Sequence, residues 1–434
     1  MCKTLVSQRR IISNFRKRYR IGVYMRLVIR KLIPVSATLV LLIACGNNNN
    51  ASPKTKTATY SAPFNTSELL KYDPKKADKR IDEFFHKLHN KSAFNGNILV
   101  AKNGKIIYEN ALGWANHLTR DSLKINSQFQ LASVTKTVTS TAVMQLWERG
   151  KIRLDQDVRD FFPNFPYKGV TIRLLLTHRS GMMNYVYFID DLYRAHHWSE
   201  KKGLTNFQVM DTIAKYKPAP FNKPNKRFLY NNSNFMVLGS IIEKVSGESY
   251  TNYVRDNIFK PAGMTHTAVY SKADFDKIPA DVVGHDRNSW RYSVVPNVLD
   301  GPVGDKGVYS TIGDLYLFDQ ALRAGRLIKQ STQDSAYTDR NPMIRGHFNY
   351  GYGWRYSKRR AKRWYIIPAG GTGSGTSMCA TLKMTLQLFC SETFVMEPCC
   401  ILMIFLNWKA SPLYVKGPIP ATERRLKINL VVKL

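Results

Sequence analysis

The chain has 434 residues, of which 44% are hydrophobic and 22% charged. That length suits about two to three domains, or one large domain with an insertion, and the composition excludes a disordered chain, a collagen-like repeat and a polytopic membrane protein. A formal net charge of +34 points toward nucleic acid or an anionic surface. Part of it is local, because residues 1–44 hold ten Lys/Arg and no Asp/Glu; the other residues carry +24, spread out. The cysteines are Cys2, Cys45, Cys379, Cys390, Cys399 and Cys400. With none between residues 46 and 378, the main body has neither a disulfide framework nor a Cys metal site. Four of the six crowd the last sixty residues.

Met25 opens a short basic stretch (Arg26, Arg30, Lys31), followed by an apolar run from Leu32 to Ile43. The run is short for a membrane span and suits the apolar region of a signal peptide. It ends Leu42-Ile43-Ala44-Cys45, which looks like a bacterial lipobox; the alternative is a signal anchor with an incidental Cys. Cys45 is therefore the expected lipidation site, because the diacylglycerol is carried on a thioether. Residues 1–24 lie upstream of a sufficient start, so residues 1–44 are assigned to leader and signal peptide. Residues 45–70 read as the lipidated Cys and a flexible Asn/Ser/Thr/Lys/Pro-rich tether.

In the body, Pro74 to Asn90 places Ile81, Phe84, Phe85 and Leu88 at helical spacing. His86 and His89 lie three apart on that helix and are expected to be solvated rather than metal ligands. Next, Asn97–Ala101 and Lys105–Tyr108 flank Asn103-Gly104, which predicts a β-hairpin. A helix is expected from Ser133 to Gly150, with the glycine as its stop. Residues 155–225 predict short helical pieces without clear strands. Further helices are expected from about Ser233 to Ser246, stopped by Gly247, and from Thr311 to Ala324.

There is no G-x-S-x-G, H-E-x-x-H, C-x-x-C, Walker A loop or G-x-G-x-x-G, which removes most support for α/β-hydrolase, metal and nucleotide chemistry. No metal or organic cofactor is expected. What remains is Ser133-Val134-Thr135-Lys136, which puts a hydroxyl and an amine one helical turn apart. A hydroxyl needs a base within hydrogen-bond reach, and a lysine can serve if burial or neighbouring positive charge lowers its pKa. A serine in the first helical turn also aims N–H groups at a developing oxyanion. Ser199-Glu200-Lys201-Lys202 has the same spacing, but in a polar stretch with no apolar helix after it. Tyr230-Asn231-Asn232 supplies a phenol that can shuttle a proton and an amide that can hold a carbonyl. Tyr108-Glu109-Asn110 and Tyr250-Thr251-Asn252 match that pattern too, but are more simply packing residues on a strand and a helix.

With these residues in place, the chain resembles the serine β-lactamase and penicillin-binding protein superfamily, in its class C β-lactamase, D-alanyl-D-alanine carboxypeptidase and esterase-like branch. The stretches that carry the resemblance are Phe129–Met144, Val170–Met182, Arg227–Thr267 and Gly301–Leu322, in the family's order. It implies an α+β fold: an antiparallel sheet flanked by helices, with an inserted, mostly helical domain. The hydrolase domain would span residues 71–365, with the helical part at about 150–300. It further implies Ser133 as the acylated nucleophile, Lys136 as its proton partner, Tyr230 as acid/base and Asn232 as the contact to the substrate amide. The Ser133 N–H would supply half of the oxyanion hole. His178 lies in a family segment that looks structural.

The family's third motif, Lys-Thr-Gly or His-x-Gly on an inner strand, corresponds to Pro368-Ala369-Gly370-Gly371-Thr372-Gly373, which has the glycines but no Lys or His. Gly370 and Gly371 are the substrate-binding candidates there. Residues 366–434 thus read as an aberrant tail in place of the last strands and helix, and a shifted reading frame would explain it. Tyr365 to Ser374 can be encoded as TAC ATC ATC CCG GCT GGT GGA ACC GGT TCC. Restoring one C after the tyrosine codon makes the next codons read His-His-Pro-Gly-Trp-Trp-Asn-Arg-Phe, a His-x-Gly in the required place.

The expected activity is that of a lipid-anchored, cell-envelope serine hydrolase acting through an acyl-enzyme on a peptide, ester or β-lactam-like compound. Rivals are a β-lactamase or D-alanyl-D-alanine carboxypeptidase in the strict sense, a non-catalytic envelope-binding protein on the same scaffold, and an inactive truncated product. The expected partners are a small-molecule or peptide substrate and the membrane, through the lipid, with no nucleic acid.

Overall fold

The computed structural model describes residues 64–92, 94–196, 203–270, 282–284, 298–341, 348–357, 364–368, 375–381 and 386–392. The leader, Cys45, Ser199, Gly370 and Gly371 lie outside the described residues. All of the described chain falls in one compact unit, Tyr60–Leu434.

Its frame is a seven-stranded sheet in the order Lys105–Leu112, Gly96–Lys102, Leu386–Glu392, Gly375–Thr381, Trp364–Pro368, Arg355–Ser357, Phe348–Tyr350. Every neighbouring pair is antiparallel. The first two strands form the predicted hairpin. Asn103 and Gly104 both have positive φ (54° and 69°), the conformation a two-residue turn needs to match strand twist. Strand backbone continues past Tyr365 into 375–381 and 386–392, the region expected to be aberrant. There they pair antiparallel with one another, and Leu386–Glu392 covers the inner edge of Gly96–Lys102.

The helix Lys79–Ser92 lies against the hairpin, with the rings of Phe85 and Tyr108 stacked at 5.8 Å and Ile98, Val100 and Leu112 in the same cluster. It begins later than its apolar spacing predicts. Pro74–Lys76 forms a separate 3₁₀ turn, and Asp78 accepts the Arg80 N–H at 3.0 Å, starting a new helix. His86 sits 3.4 Å from Asp82 on that helix, half in solvent.

The larger core surrounds the helix Thr135–Glu148, in which every residue from Thr135 to Leu146 is buried. Its threonines and valines are poor helix formers, so tertiary contacts hold it. The threonine hydroxyls are satisfied internally, with Thr137 and Thr141 donating to the carbonyls of Val134 and Thr137 at 2.8 Å each. Helices Asn206–Tyr216 and Asn232–Ser246 pack into the same core, and Gly247 ends the latter in the left-handed conformation (φ 76°). The helix expected from Thr311 runs Ile312–Arg323, with the Thr311 hydroxyl capping the Asp314 N–H at 3.2 Å.

A three-stranded sheet (Phe129–Gln130, Val308–Ser310, Ala268–Val269) ties the entry to the buried helix to a distant loop. Through it, Leu131 N–H donates to Val308 O at 2.8 Å, and Val308 N–H donates to Thr135 Oγ1 at 3.3 Å. The loop Gly304–Gly307 is thereby held beside the start of the buried helix.

Gly353 marks how closely the sheet approaches that helix. It has φ +89°, and a Cβ there would lie 1.8 Å from Ser140 Oγ. Gly150 also has positive φ (+66°) but open space around it. Gly353→Ala is therefore expected to lower stability by about 2–4 kcal/mol, from overpacking plus backbone strain, whereas Gly150→Ala should cost about 1 kcal/mol from strain alone. Urea unfolding of the two variants checks this; equal losses would contradict the packing argument.

Candidate active site

Two helix starts converge on one hydroxyl. Ser133 lies in the 3₁₀ turn Ala132–Val134 that opens the buried helix, and Lys136 follows one turn later. Ala132, just before the serine, takes φ +44°, a left-handed conformation that costs a non-glycine residue about 1–2 kcal/mol. The tight turn places Ser133 at the helix entry, where the first N–H groups lack intrahelical acceptors.

Lys136 is only 1% exposed, yet it carries an amine whose burial must be compensated. Its Nζ donates to Ser133 Oγ at 3.1 Å, to Asn232 Oδ1 at 2.9 Å and to the Asp305 carbonyl at 2.8 Å. An ammonium has three donors, and all three are used. The Asp305 carbonyl is held in turn by its own loop. Tyr185 Oη lies 3.2 and 3.3 Å from the two carboxylate oxygens of Asp305, and Lys306 Nζ donates to Tyr185 Oη at 2.7 Å. Burial first, and then the Asp305 charge, pushes the Tyr185 phenol well above its usual range, so it remains a donor.

Tyr230 Oη donates to Ser133 Oγ at 2.9 Å, and the residue as a whole is 37% exposed, so this side of the site is open to solvent. The turn that carries it is shaped by Asn231, whose Oδ1 caps the Ser233 N–H at 2.9 Å and starts the helix Asn232–Ser246. Lys136 Nζ lies 5.3 Å and the Arg355 guanidinium 5.9 Å from the Tyr230 ring centroid, within cation–π range. Since Asn232 Oδ1 is occupied by Lys136, its Nδ2–H₂ is the end left to donate to a carbonyl.

The structure thus brings together Ser133, Lys136, Tyr230 and Asn232, which sequence spacing singles out. The rival tyrosines lie elsewhere. Tyr108 Oη donates to Asp82 at 3.0 Å beneath the helix Lys79–Ser92, and buried Tyr250 meets Thr139 Oγ1 at 2.7 Å. Sequence reasoning missed two contributors. Asp305 acts through a main-chain carbonyl, which leaves no mark in a side-chain pattern. Arg355 follows Gly351-Tyr352-Gly353-Trp354, whose glycine spacing alone signals a close approach. His178, read as structural, is fully buried with its ring 4.3 Å from that of Tyr230. Burial above all, and then the charges of Lys136 and Arg355, hold its imidazole well below the usual histidine pKa.

Comparison with known proteins gives the family. The sequence model of the β-lactamase family matches residues 81–393, more than half of the chain. The chain belongs to the β-lactamase family. It is 32% identical over 309 residues to penicillin-binding protein 4* of Bacillus subtilis, covering 68% of this chain and 66% of that one. It is 29% identical over 277 residues to the teichoic acid D-alanine hydrolase of Staphylococcus aureus, covering 63% and 62%. The chain thus spans slightly under two thirds of these relatives. The crystal structure of a penicillin-binding protein from Bacillus halodurans superposes with a TM-score of 0.63 at 25% identity, covering 72% of this chain and 95% of that one. Its fold is accordingly β-lactamase/transpeptidase-like, with helices and antiparallel sheets.

Proposed function

We propose that this protein is a serine hydrolase of the bacterial cell envelope, working through an acyl-enzyme on a peptide, ester or β-lactam-like acyl compound. The observation that carries the reading is the hydrogen bonding of one hydroxyl, Ser133 Oγ, by two titratable groups, Lys136 Nζ and Tyr230 Oη. Both groups donate to Ser133 Oγ, so one of them first gives up a proton to solvent; that amine or phenolate then takes the serine proton as Oγ attacks the acyl carbonyl. The same proton passes to the leaving amine or alkoxide as the carbonyl re-forms. Water then attacks the acyl-enzyme by the reverse proton route, releasing the acid and restoring the serine. Asn232 Nδ2 orients the substrate amide or ester carbonyl, and the Ser133 N–H donates to the oxyanion. Support for a D-alanyl acyl group comes from the relative that is a teichoic acid D-alanine hydrolase. No cofactor enters these steps, and no nucleic acid is proposed as a partner.

Ser133→Ala should abolish labelling by a fluorophosphonate probe, in which Oγ attacks phosphorus and fluoride leaves, a loss on the order of 10⁴ to 10⁶ in rate. Tyr230→Phe, which removes only the hydroxyl, should cost about 10²- to 10⁴-fold. Mass-spectrometric mapping of the label to any serine other than Ser133 would overturn the assignment.

Within the family we place the chain in the class C-related branch, exported by a signal peptide and anchored through Cys45. Among the described residues no helix is long and apolar enough to cross a membrane. Anchoring through a lipidated cysteine predicts that the mature protein begins at Cys45 and carries the lipid there, read by mass spectrometry of the purified protein. A mature chain that begins at any other residue would reject the anchor.

The third motif leads to a proposal about the gene. We propose that the frame slips by one base after Tyr365 and that the restored frame encodes His-Pro-Gly. In the resemblance the third motif's strand lends the second oxyanion N–H, a group worth about 10²- to 10³-fold in rate, so the restored chain should be labelled faster than the present one by that order. Resequencing the locus and labelling both chains decides the matter; an unbroken frame together with equal rates would end it.

A further inference from the structure

Beneath Tyr230 lies a buried side chain that the steps above do not use. His178 adopts φ +54° at the end of the helix Ile172–Leu176 and holds the main chain on both sides of Tyr230. Its carbonyl accepts the Leu229 N–H at 2.8 Å, and its ring Nδ1 accepts the Asn231 N–H at 3.2 Å. Asn234 Nδ2 also lies 2.9 Å from Nδ1, while Asn234 Oδ1 is taken by the Ser180 hydroxyl. Two obligatory donors on one nitrogen mean that Nδ1 bears the lone pair and Nε2 the proton. Nε2–H then donates to Tyr350 Oη at 3.1 Å, and Tyr350 donates onward to the Gly353 carbonyl at 3.3 Å. This route leads away from Ser133, so the imidazole is not a proton relay to the reacting atoms.

We propose that His178, as its Nε2–H tautomer, is a positioning residue for acyl transfer: it clamps the turn around Tyr230 and thereby sets the 2.9 Å contact between Tyr230 Oη and Ser133 Oγ. The inference rests on the reading of Tyr230 as acid/base. The titratable or charged groups facing the imidazole are Lys136, Arg355, Tyr230 and Tyr350. Two of them, Lys136 and Arg355, are cationic, and protonating Nδ1 would turn its lone pair into an N–H facing the Asn231 and Asn234 donors. The neutral ring therefore belongs to the working state. Because the unfolded chain takes up this proton near the ordinary value of about 6.5 and the folded chain resists it, stability is full above that pH and falls as pH drops below it.

Two isosteres separate the ends of the ring. His178→Asn keeps an acceptor near the Nδ1 position and tolerates a left-handed backbone, whereas His178→Gln keeps only a polar group near Nε2. With the fluorophosphonate probe, His178→Gln should lower the maximal phosphonylation rate constant about 10- to 100-fold, with the probe's half-saturation concentration within about twofold, the size of effect expected from misplacing a reacting group. His178→Asn should retain at least about a third of the rate. In a Tyr230→Phe background, His178→Gln should cost nothing further, because the two act as one unit. Equal losses in Asn and Gln variants, or a full additional loss in the Tyr230→Phe background, would overturn the proposal while leaving the tyrosine's role intact. If Tyr230→Phe alone is labelled normally, the tyrosine's role falls and the positioning role falls with it. Should the variants fail to fold, nitrogen-15 NMR of the unsubstituted protein still decides: the shifts should show Nδ1 unprotonated at pH 7, and a protonated Nδ1 would reject the proposal.

Discussion

A buried amine organises this molecule. Removing an ammonium from water is costly unless every donor finds an acceptor, and Lys136 finds its three on three separate parts of the chain. Those acceptors are the turn before its own helix, the first residue of the helix Asn232–Ser246 and the loop at Asp305. Each is therefore fixed relative to the others by the same nitrogen. Loss of any one leaves a buried donor unpaired, which costs more than the bond itself contributes. The arrangement that could activate a serine is thus also a condition for packing the core.

The surrounding core reinforces that constraint instead of relaxing it. A helix buried on all sides must satisfy its polar groups locally or across a tight interface, and the threonines of Thr135–Glu148 do both. Thr139 donates to the Gly304 carbonyl at 2.6 Å, one residue from the carbonyl that holds Lys136. Gly304 itself leaves no room for a side chain, since a Cβ would fall 2.5 Å from the Phe235 carbonyl. The loop is consequently gripped from two helices, and the buried Tyr185–Asp305 contact, with Lys306 donating to Tyr185, braces it further.

Features with a local cause were legible in the sequence. Asn103-Gly104 can occupy positive φ cheaply, so the hairpin followed from two residues, and Gly247 stopped its helix for the same reason. Ser133, Lys136, Tyr230 and Asn232 were legible because their spacing and order match a family pattern. What escaped depends on partners remote in sequence or on main-chain atoms. No side-chain motif announces the Asp305 carbonyl, and the tautomer of His178 is set by Asn231 and Asn234 only once the turn has formed. The break before Lys79 was missed because Asp78 competes as a cap against an apolar spacing that runs straight through it. Strands of two or three residues, such as Phe129–Gln130, are too short for alternation to show.

The order of strands in the large sheet has a bearing on how the protein is made. Gly96–Lys102 pairs on one side with the strand next to it in sequence and on the other with Leu386–Glu392, from the opposite end of the described chain. During synthesis the hairpin therefore emerges with an open edge that stays uncovered until Leu386–Glu392 has been made. Such long-range closure is slow, and an uncovered edge is a template for pairing with other chains. Nascent chains of this architecture should be most vulnerable to aggregation late in elongation, and a ribosome that stalls or terminates before the final strands would release a product with its sheet still unsealed.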